Sequence, residues 1–130
     1  MIKKIDINKL TFVPASHENP KNPGVFKKVL FTKKDFTTQG SIQMINWARL
    51  PEGKSFQSHY HEDMDEVFII LSGKARIKIN DEENIIKKNE AIFIPAKAIH
   101  YMKNVGETDV HYIVIGSTQG GGGKTVTLHP

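Results

Sequence analysis

The chain has 130 residues, which is the size of one compact domain and too small for two independent cores. Hydrophobic residues make up 38% and charged residues 25%, and no apolar run approaches the roughly 20 residues that a membrane-spanning helix needs. Cysteine is absent, which excludes disulfides and thiolate ligands, and the net charge of +4 comes from dispersed lysines, which is not typical of a nucleic-acid surface.

The N-terminal residues 1–24 are expected to form an arm followed by a loop. Asp6 and Asn8 interrupt the first apolar residues, so no export signal is predicted and we expect a cytoplasmic protein. Residues 17–24 contain three Pro or Gly residues and no alternating pattern, which predicts a loop. His17 in this loop and His129 near the other end are expected to be satisfied by hydrogen bonds or to face solvent.

Short runs rich in Ile, Val, Phe and Thr recur along the chain and predict strands. Tight turns are predicted around Gly73 and at residues 80–83, which would make residues 66–86 an antiparallel meander. The pattern indicates a sandwich or a barrel. Twelve strands are predicted, at residues 2–7, 11–13, 25–32, 42–50, 56–60, 66–71, 75–79, 84–86, 91–94, 99–103, 110–115 and 125–128.

Residues 116–130 combine a glycine-rich connector with the last short strand. The segment from Gly120 to Thr125 is similar to the end of a phosphate-binding loop, but Thr118 stands where that motif requires its first glycine. A flexible connector is the better interpretation.

Four residues with metal-ligating side chains lie in two short segments. His59 and His61 are two residues apart on a predicted strand, so both imidazoles should project from one face. Glu66 opens an apolar strand, where a carboxylate is costly unless it is paired or binds a metal. His100 follows a Pro-containing turn and arrives from a distant strand. Three imidazoles and one carboxylate favour Mn, Fe, Co, Ni or Zn over Ca or Mg, without distinguishing among the five.

These segments resemble the two motifs of the cupin superfamily. The first motif agrees at every specified position, namely Gly53, His59, His61, Glu66 and Gly73. The second motif agrees at Pro95, His100 and Asn104, whereas Asn89 and Lys97 replace its two glycines. Asn tolerates a positive φ, but Lys is less suited to it, so an altered turn is expected at Lys97.

The resemblance implies an all-β jelly-roll barrel, also called a double-stranded β-helix, as a single domain over residues 1–130. The core barrel would occupy residues 42–115. It also implies that His59, His61, Glu66 and His100 bind one divalent transition metal per chain, and that the protein is commonly a homodimer. It implies no single reaction, because cupins include dioxygenases, isomerases, epimerases, lyases, decarboxylases and non-catalytic binders.

We expect a metal-dependent enzyme that acts on a small polar organic molecule, since the sequence offers no nucleophile pattern or other cofactor motif. Oxygen-dependent oxidation of the dioxygenase type is favoured, because four protein ligands on octahedral Fe or Mn leave two positions open. One alternative is isomerase or lyase chemistry. Another is a non-catalytic module that binds or senses a sugar or an organic acid.

Either face of the strand at residues 42–50 could line a substrate pocket. If the face with Trp47 and Arg49 points inward, the pocket gains a stacking surface and a carboxylate clamp; otherwise Trp47 is expected in a dimer contact. Gln57 shares the face of His59 and is either a hydrogen-bonding pocket residue or an edge-strand polar residue. The remaining pocket candidates are Phe68, Met102 and Tyr112, with His111 then exposed.

Overall fold

The structure, a computed structural model, describes residues 3–128. It contains two one-turn 3-10 helices, Ile7–Lys9 and Lys33–Asp35, and no helix in this range is long and apolar enough to span a membrane. The strands, in chain order, are β1 Val13–Pro14, β2 Phe26–Thr32, β3 Ile42–Leu50, β4 His59–His61, β5 Met64–Ser72, β6 Lys74–Ile79, β7 Glu82–Lys87, β8 Ala91–Ile94, β9 His100–Asn104, β10 Val110–Thr118 and β11 Thr125–Thr127.

The strands form two antiparallel sheets of a jelly-roll barrel, as expected from the sequence. The six-stranded sheet has the order β1-β2-β3-β10-β5-β8, and the five-stranded sheet has the order β11-β4-β9-β6-β7. Strands that are distant in sequence become neighbours by this winding: β4 pairs with β9 and β11, and β5 pairs with β8 and β10. Residues from both motifs are therefore brought to the same part of the barrel.

The core lies between the two sheets and follows the strand alternation. In β10, Val110, Tyr112 and Val114 are buried, while the intervening residues are only half-buried. Burying each large apolar side chain contributes about 1.5–3 kcal/mol to folding. Met102 is fully buried in this core and does not line the cavity that His59, His61 and Glu66 line, so its prediction as a pocket residue is corrected: β9 turns it toward the interior packing.

The predicted strand bounds are confirmed to the residue at β3 and β8 and are wrong at the N-terminus. Residues 3–6 form no strand, because the Asp6 side chain accepts a hydrogen bond from the Asn8 backbone at 3.1 Å and caps a 3-10 helix instead. Ile2 lies outside the described residues. Because this N-terminal strand is absent, residues 3–128 contain eleven strands rather than twelve, and the strand predicted at residues 56–60 begins only at His59.

Candidate metal centre

The four predicted ligands meet between the two sheets. His59 and His61 lie on β4 with both side chains buried, as the two-residue spacing predicts, and Tyr60 points the other way. His100 lies directly opposite His59 on the neighbouring strand β9. Glu66 comes from β5 in the facing sheet, so the cluster joins three imidazoles from one sheet to a carboxylate from the other.

We call His59, His61, Glu66 and His100 the ligand quartet. One donor atom from each member lies within 4.8 Å of the donor atoms of the others. Glu66 Oε1 lies 2.9 Å from His61 Nε2 and 3.3 Å from His100 Nε2. His100 Nε2 is nevertheless a buried nitrogen without a well-formed hydrogen bond, which is the state expected of an atom directed at an ion.

Each imidazole of the ligand quartet is oriented through its Nδ1 atom. The Gln57 carbonyl lies 2.7 Å from His59 Nδ1, and the Ala98 carbonyl lies 2.9 Å from His100 Nδ1. Because a carbonyl only accepts, these two Nδ1 atoms carry the hydrogen, and Nε2 keeps its lone pair for a metal. His61 Nδ1 lies 2.9 Å from Thr125 Oγ1, so the residue that follows the glycine-rich connector performs the same task.

The protonation states in the ligand quartet also suit a metal. Burial lowers the pKa of His59 to about 2, with further lowering by the nearby His17 and His100, so its imidazole is neutral at physiological pH. Burial opposes ionisation of Glu66, but its contacts with His100 and His61 outweigh burial and hold the pKa of that carboxyl well below its usual range. A neutral imidazole beside an ionised carboxylate is the ligating form of both side chains. The buried quartet is thus compatible with a divalent transition metal.

The two glycines missing from the second motif are replaced without loss of the turn conformation. Asn89 has φ of 70° and Lys97 has φ of 71°, both in the left-handed region that glycine favours. The altered turn expected at Lys97 is therefore not observed. The Lys97 backbone N–H donates to the His61 carbonyl at 2.7 Å, which ties this turn to the ligand strand.

A cavity of about 610 Å³ is lined by three members of the ligand quartet, His59, His61 and Glu66, but not by His100. Of the pocket candidates, Phe68 and Tyr112 line this cavity, as does Phe56. Burial, together with the negative charges of Glu66 and Glu18, raises the pKa of Tyr112 far above its usual range, so its hydroxyl stays protonated.

Trp47 and Arg49 do not line the cavity, because β3 presents Asn46 and Ala48 to it and alternation turns their neighbours to the opposite face. On that face Trp47 Nε1 donates to His111 Nδ1 at 2.9 Å, and Arg49 Nη1 lies 3.2 Å from Asp109. The prediction that His111 is exposed is also wrong, since this contact leaves its ring half-buried.

The Gln57 side chain does not line the cavity either, although its backbone matters to the site. The Gln57 carbonyl orients His59, and the Gln57 N–H donates to the Glu18 carboxylate at 2.8 Å. The residue was predicted from the direction of its side chain, but residues 56–58 are not in a strand, so the alternation from His59 does not extend to it.

His17 is a site residue that the sequence did not predict. Its ring stacks on His59 with a centroid separation of 4.0 Å, and it lines the cavity, whereas only a hydrogen-bonded or solvent-facing loop histidine was expected. Its Nδ1 donates to the buried Glu18 carboxylate at 3.0 Å, and the Gly24 N–H donates to the same carboxylate at 2.7 Å. Burial opposes ionisation of Glu18, but these hydrogen bonds, with that of Gln57, lower its pKa.

The loop that carries His17 is held close to the barrel at Gly24. A Cβ at this position would collide with the Ser55 carbonyl, so only glycine allows the approach. Neither this contact nor the stacking of His17 leaves a periodic pattern in the sequence. The one local signal is the glycine that ends the Pro-rich segment.

Comparison with known proteins identifies one family and several solved structures with a similar fold. The family described as "Cupin domain" matches residues 46–116. Mannose-1-phosphate guanylyltransferase RfbM of Salmonella typhimurium is 29% identical over 85 residues, which are 65% of this chain and 18% of that protein. This chain therefore spans less than a fifth of that curated relative's length.

Two solved structures illustrate the similarity in fold. A predicted oxalate decarboxylase of Thermotoga maritima has a TM-score of 0.78 and 22% identity over 90% of this chain and 100% of its own. The polyketide cyclase RemF of Streptomyces resistomycificus has a TM-score of 0.77 and 16% identity over 100% of this chain and 87% of its own. At these identities the likeness concerns the fold alone.

Proposed function

Since this chain belongs to the cupin family, we propose that its ligand quartet binds one divalent transition metal and that the protein is a metal-dependent enzyme acting on a small polar organic molecule. The observation that carries the proposal is that three of the four buried quartet members line a cavity of about 610 Å³. A structural metal site is closed, whereas a catalytic site leaves room beside the ion. A volume of this size suits a small ligand.

The residues around the quartet have separate tasks. Phe56 and Phe68 form apolar walls that pack against the carbon skeleton of a ligand and exclude water. Tyr112, held in its protonated form, offers a hydroxyl donor. His59 and Glu66 stay in their ligating forms at neutral pH. When bound, the ion supplies Lewis-acid chemistry or, if it is Fe or Mn, oxygen-dependent oxidation.

Metal analysis followed by a substrate panel tests this proposal. The purified protein is loaded with Fe, Mn, Co, Ni or Zn, and each form is assayed for oxygen uptake and for product formation with sugars, sugar phosphates and organic acids. Oxygen uptake confined to the Fe or Mn form would support oxidation. Turnover without oxygen uptake would support isomerase or lyase chemistry instead.

The control for this panel is the His59→Ala variant, with His111→Ala as the matched change of a histidine outside the quartet. Turnover should disappear in the first variant and remain in the second. If metal-loaded protein binds panel members, detected as ligand-induced thermal stabilisation, but converts none of them, the enzyme proposal fails and a binding or sensing module is left.

We also propose that the chain forms a homodimer, and that it does so through the outer face of the six-stranded sheet. Five outward side chains are adjacent on this face through strand pairing, namely Trp47, Val67, Ile69, Phe93 and Ile113. Phe93 is 57% exposed, and apolar surface of this kind marks an interface.

Sedimentation velocity tests the dimer. Phe93→Glu should shift a dimer to monomer, whereas Ile85→Glu, which changes an exposed apolar residue on the other sheet, should not. A wild-type protein that sediments as a monomer would contradict the proposal.

A further inference from the structure

The charges that line the cavity are predominantly positive. Among the described residues, three lysines line it, Lys27, Lys33 and Lys34, while Glu66 is the only carboxylate to do so. Glu66 belongs to the ligand quartet, where its charge is directed at the imidazoles and at any bound cation. The remainder of the cavity is therefore cationic, and a divalent ion would make it more so.

Lys27 is the most informative of the three lysines because its side chain is half-buried. Its Nζ donates to Ser16 Oγ at 2.7 Å, and within residues 3–128 no carboxylate lies within 4 Å of it. Burial lowers the pKa of the Lys27 ammonium, which reflects the cost of removing it from water. An ammonium has three N–H donors, and one hydroxyl partner leaves two of them for a ligand.

Lys33 and Lys34 lie on the 3-10 helix that follows β2, and both are exposed. The nearest acid in sequence, Asp35, is already engaged: it accepts the Thr32 N–H at 2.8 Å and forms an ion pair with Lys3. It is therefore not available to pair with these two lysines, and their charges attract anions toward the cavity.

We propose that the ligand of this cavity is a small organic anion whose carboxylate or phosphate group is bound by Lys27, with Lys33 and Lys34 adding positive charge beside it. The inference rests on the proposed function in one respect, that the cavity beside the ligand quartet is the ligand site. The contact of Lys27 with an anion would be a charge-assisted hydrogen bond, which is stronger than one between neutral groups.

Calorimetric titration of the Zn-loaded full chain tests the inference with four probes: malonate, glucose 6-phosphate, glucose and 1,4-diaminobutane. At least one of the two anions should bind, the neutral sugar and the diamine should not, and affinity should fall as salt is raised. The preference between malonate and glucose 6-phosphate distinguishes a carboxylate ligand from a phosphate ligand.

Variants of Lys27 separate binding from a structural role. Lys27→Gln should weaken anion binding about tenfold or more, whereas Lys27→Arg, which keeps the charge, should retain most of it. The matched control is Lys78→Gln, which removes an exposed lysine on the five-stranded sheet and should leave affinity unchanged. Far-ultraviolet circular dichroism and metal content confirm that each variant folds and is loaded.

Three results would overturn the inference: glucose binding as tightly as the anions, neither anion binding wild-type protein at millimolar concentration, or equal affinity in wild type and Lys27→Gln. The outcome is separable from that of the proposed function. A protein that binds metal but prefers glucose refutes only the anion inference. A protein that binds no metal but binds anions through Lys27 refutes only the metal proposal.

Discussion

His59 and His17 stack on each other, yet different kinds of structure hold them. His59 is fixed by strand pairing on both sides, with His100 opposite it on β9 and Thr127 opposite it on β11. His17 is fixed by a loop and by one carboxylate, that of Glu18. The ligand quartet is thus built on strands of both sheets, while the part of the cavity wall formed by His17 is built on the loop. We infer that metal binding depends on the strands and that the shape of the cavity depends on the loop.

The largest expected effect is the difference in metal affinity between variants of the two stacked histidines. His59→Ala should weaken metal binding at least a hundredfold, because it removes a ligand, whereas His17→Ala should change metal affinity less than about tenfold. Competition with a chromophoric chelator measures both. Equal losses in the two variants would show that His17 is itself a ligand.

Lowering the pH tests the ligand quartet through the protonation of His59 and Glu66. The pKa of His59 is about 2 in the folded chain and near 6.5 when unfolded, so the unfolded chain binds more protons between these values. Metal-free protein should therefore lose stability as the pH falls below about 6.5, by about 1.4 kcal/mol per pH unit for this group. The lowered pKa of Glu66 acts in the same direction below its ordinary value.

Urea denaturation of metal-free protein at pH 7.5 and 5.5 measures this dependence. An unchanged midpoint would mean that His59 is not held neutral by burial.

Replacement of Glu18 tests how the loop that carries His17 is held. The carboxylate accepts hydrogen bonds from His17, Gly24 and Gln57, and the last of these positions the carbonyl that orients His59. Glu18→Gln should cost about 1–3 kcal/mol of stability, since an amide cannot accept all three. It should also lower metal affinity about tenfold.

Thermal unfolding and chelator competition measure these two effects, with the exposed Glu107→Gln as the matched control. A Glu18→Gln variant as stable as Glu107→Gln would show that the loop is not held by this carboxylate.

The smallest effect concerns the turns of the second motif. Lys97→Gly should raise stability by about 0.5–1 kcal/mol, because it relieves a side chain held at positive φ, less the added entropy of the unfolded chain. Asn89→Gly should raise it less, since asparagine tolerates this conformation. Urea midpoints compare the two variants, and a larger gain at Asn89 would contradict the explanation.

Three members of the ligand quartet could be predicted from local patterns in the sequence, whereas His100 came from the resemblance to the second cupin motif. Two-residue alternation places His59 and His61 on one face, and the apolar strand of Glu66 indicates that its carboxylate needs a partner. The all-β class follows from the same periodicity. These features need only the pattern within a strand.

The features of the site that could not be predicted from the sequence depend on contacts between distant segments. Both faces of β3 mix polar and apolar residues, so alternation alone could not tell that Asn46 faces the cavity and Trp47 the outer side. His17 reaches the site only because Gly24 lets its loop approach the Ser55 backbone. Thr125 reaches His61 only after β11 pairs with β4.

The central claim is that the ligand quartet holds one metal ion per chain. The most direct test is elemental analysis of purified wild-type protein and of the variant in which both His59 and His61 are replaced by alanine. We predict one equivalent of a divalent transition metal in the wild type and none in the double variant. Unchanged metal content in the double variant would place the metal elsewhere and contradict the assignment.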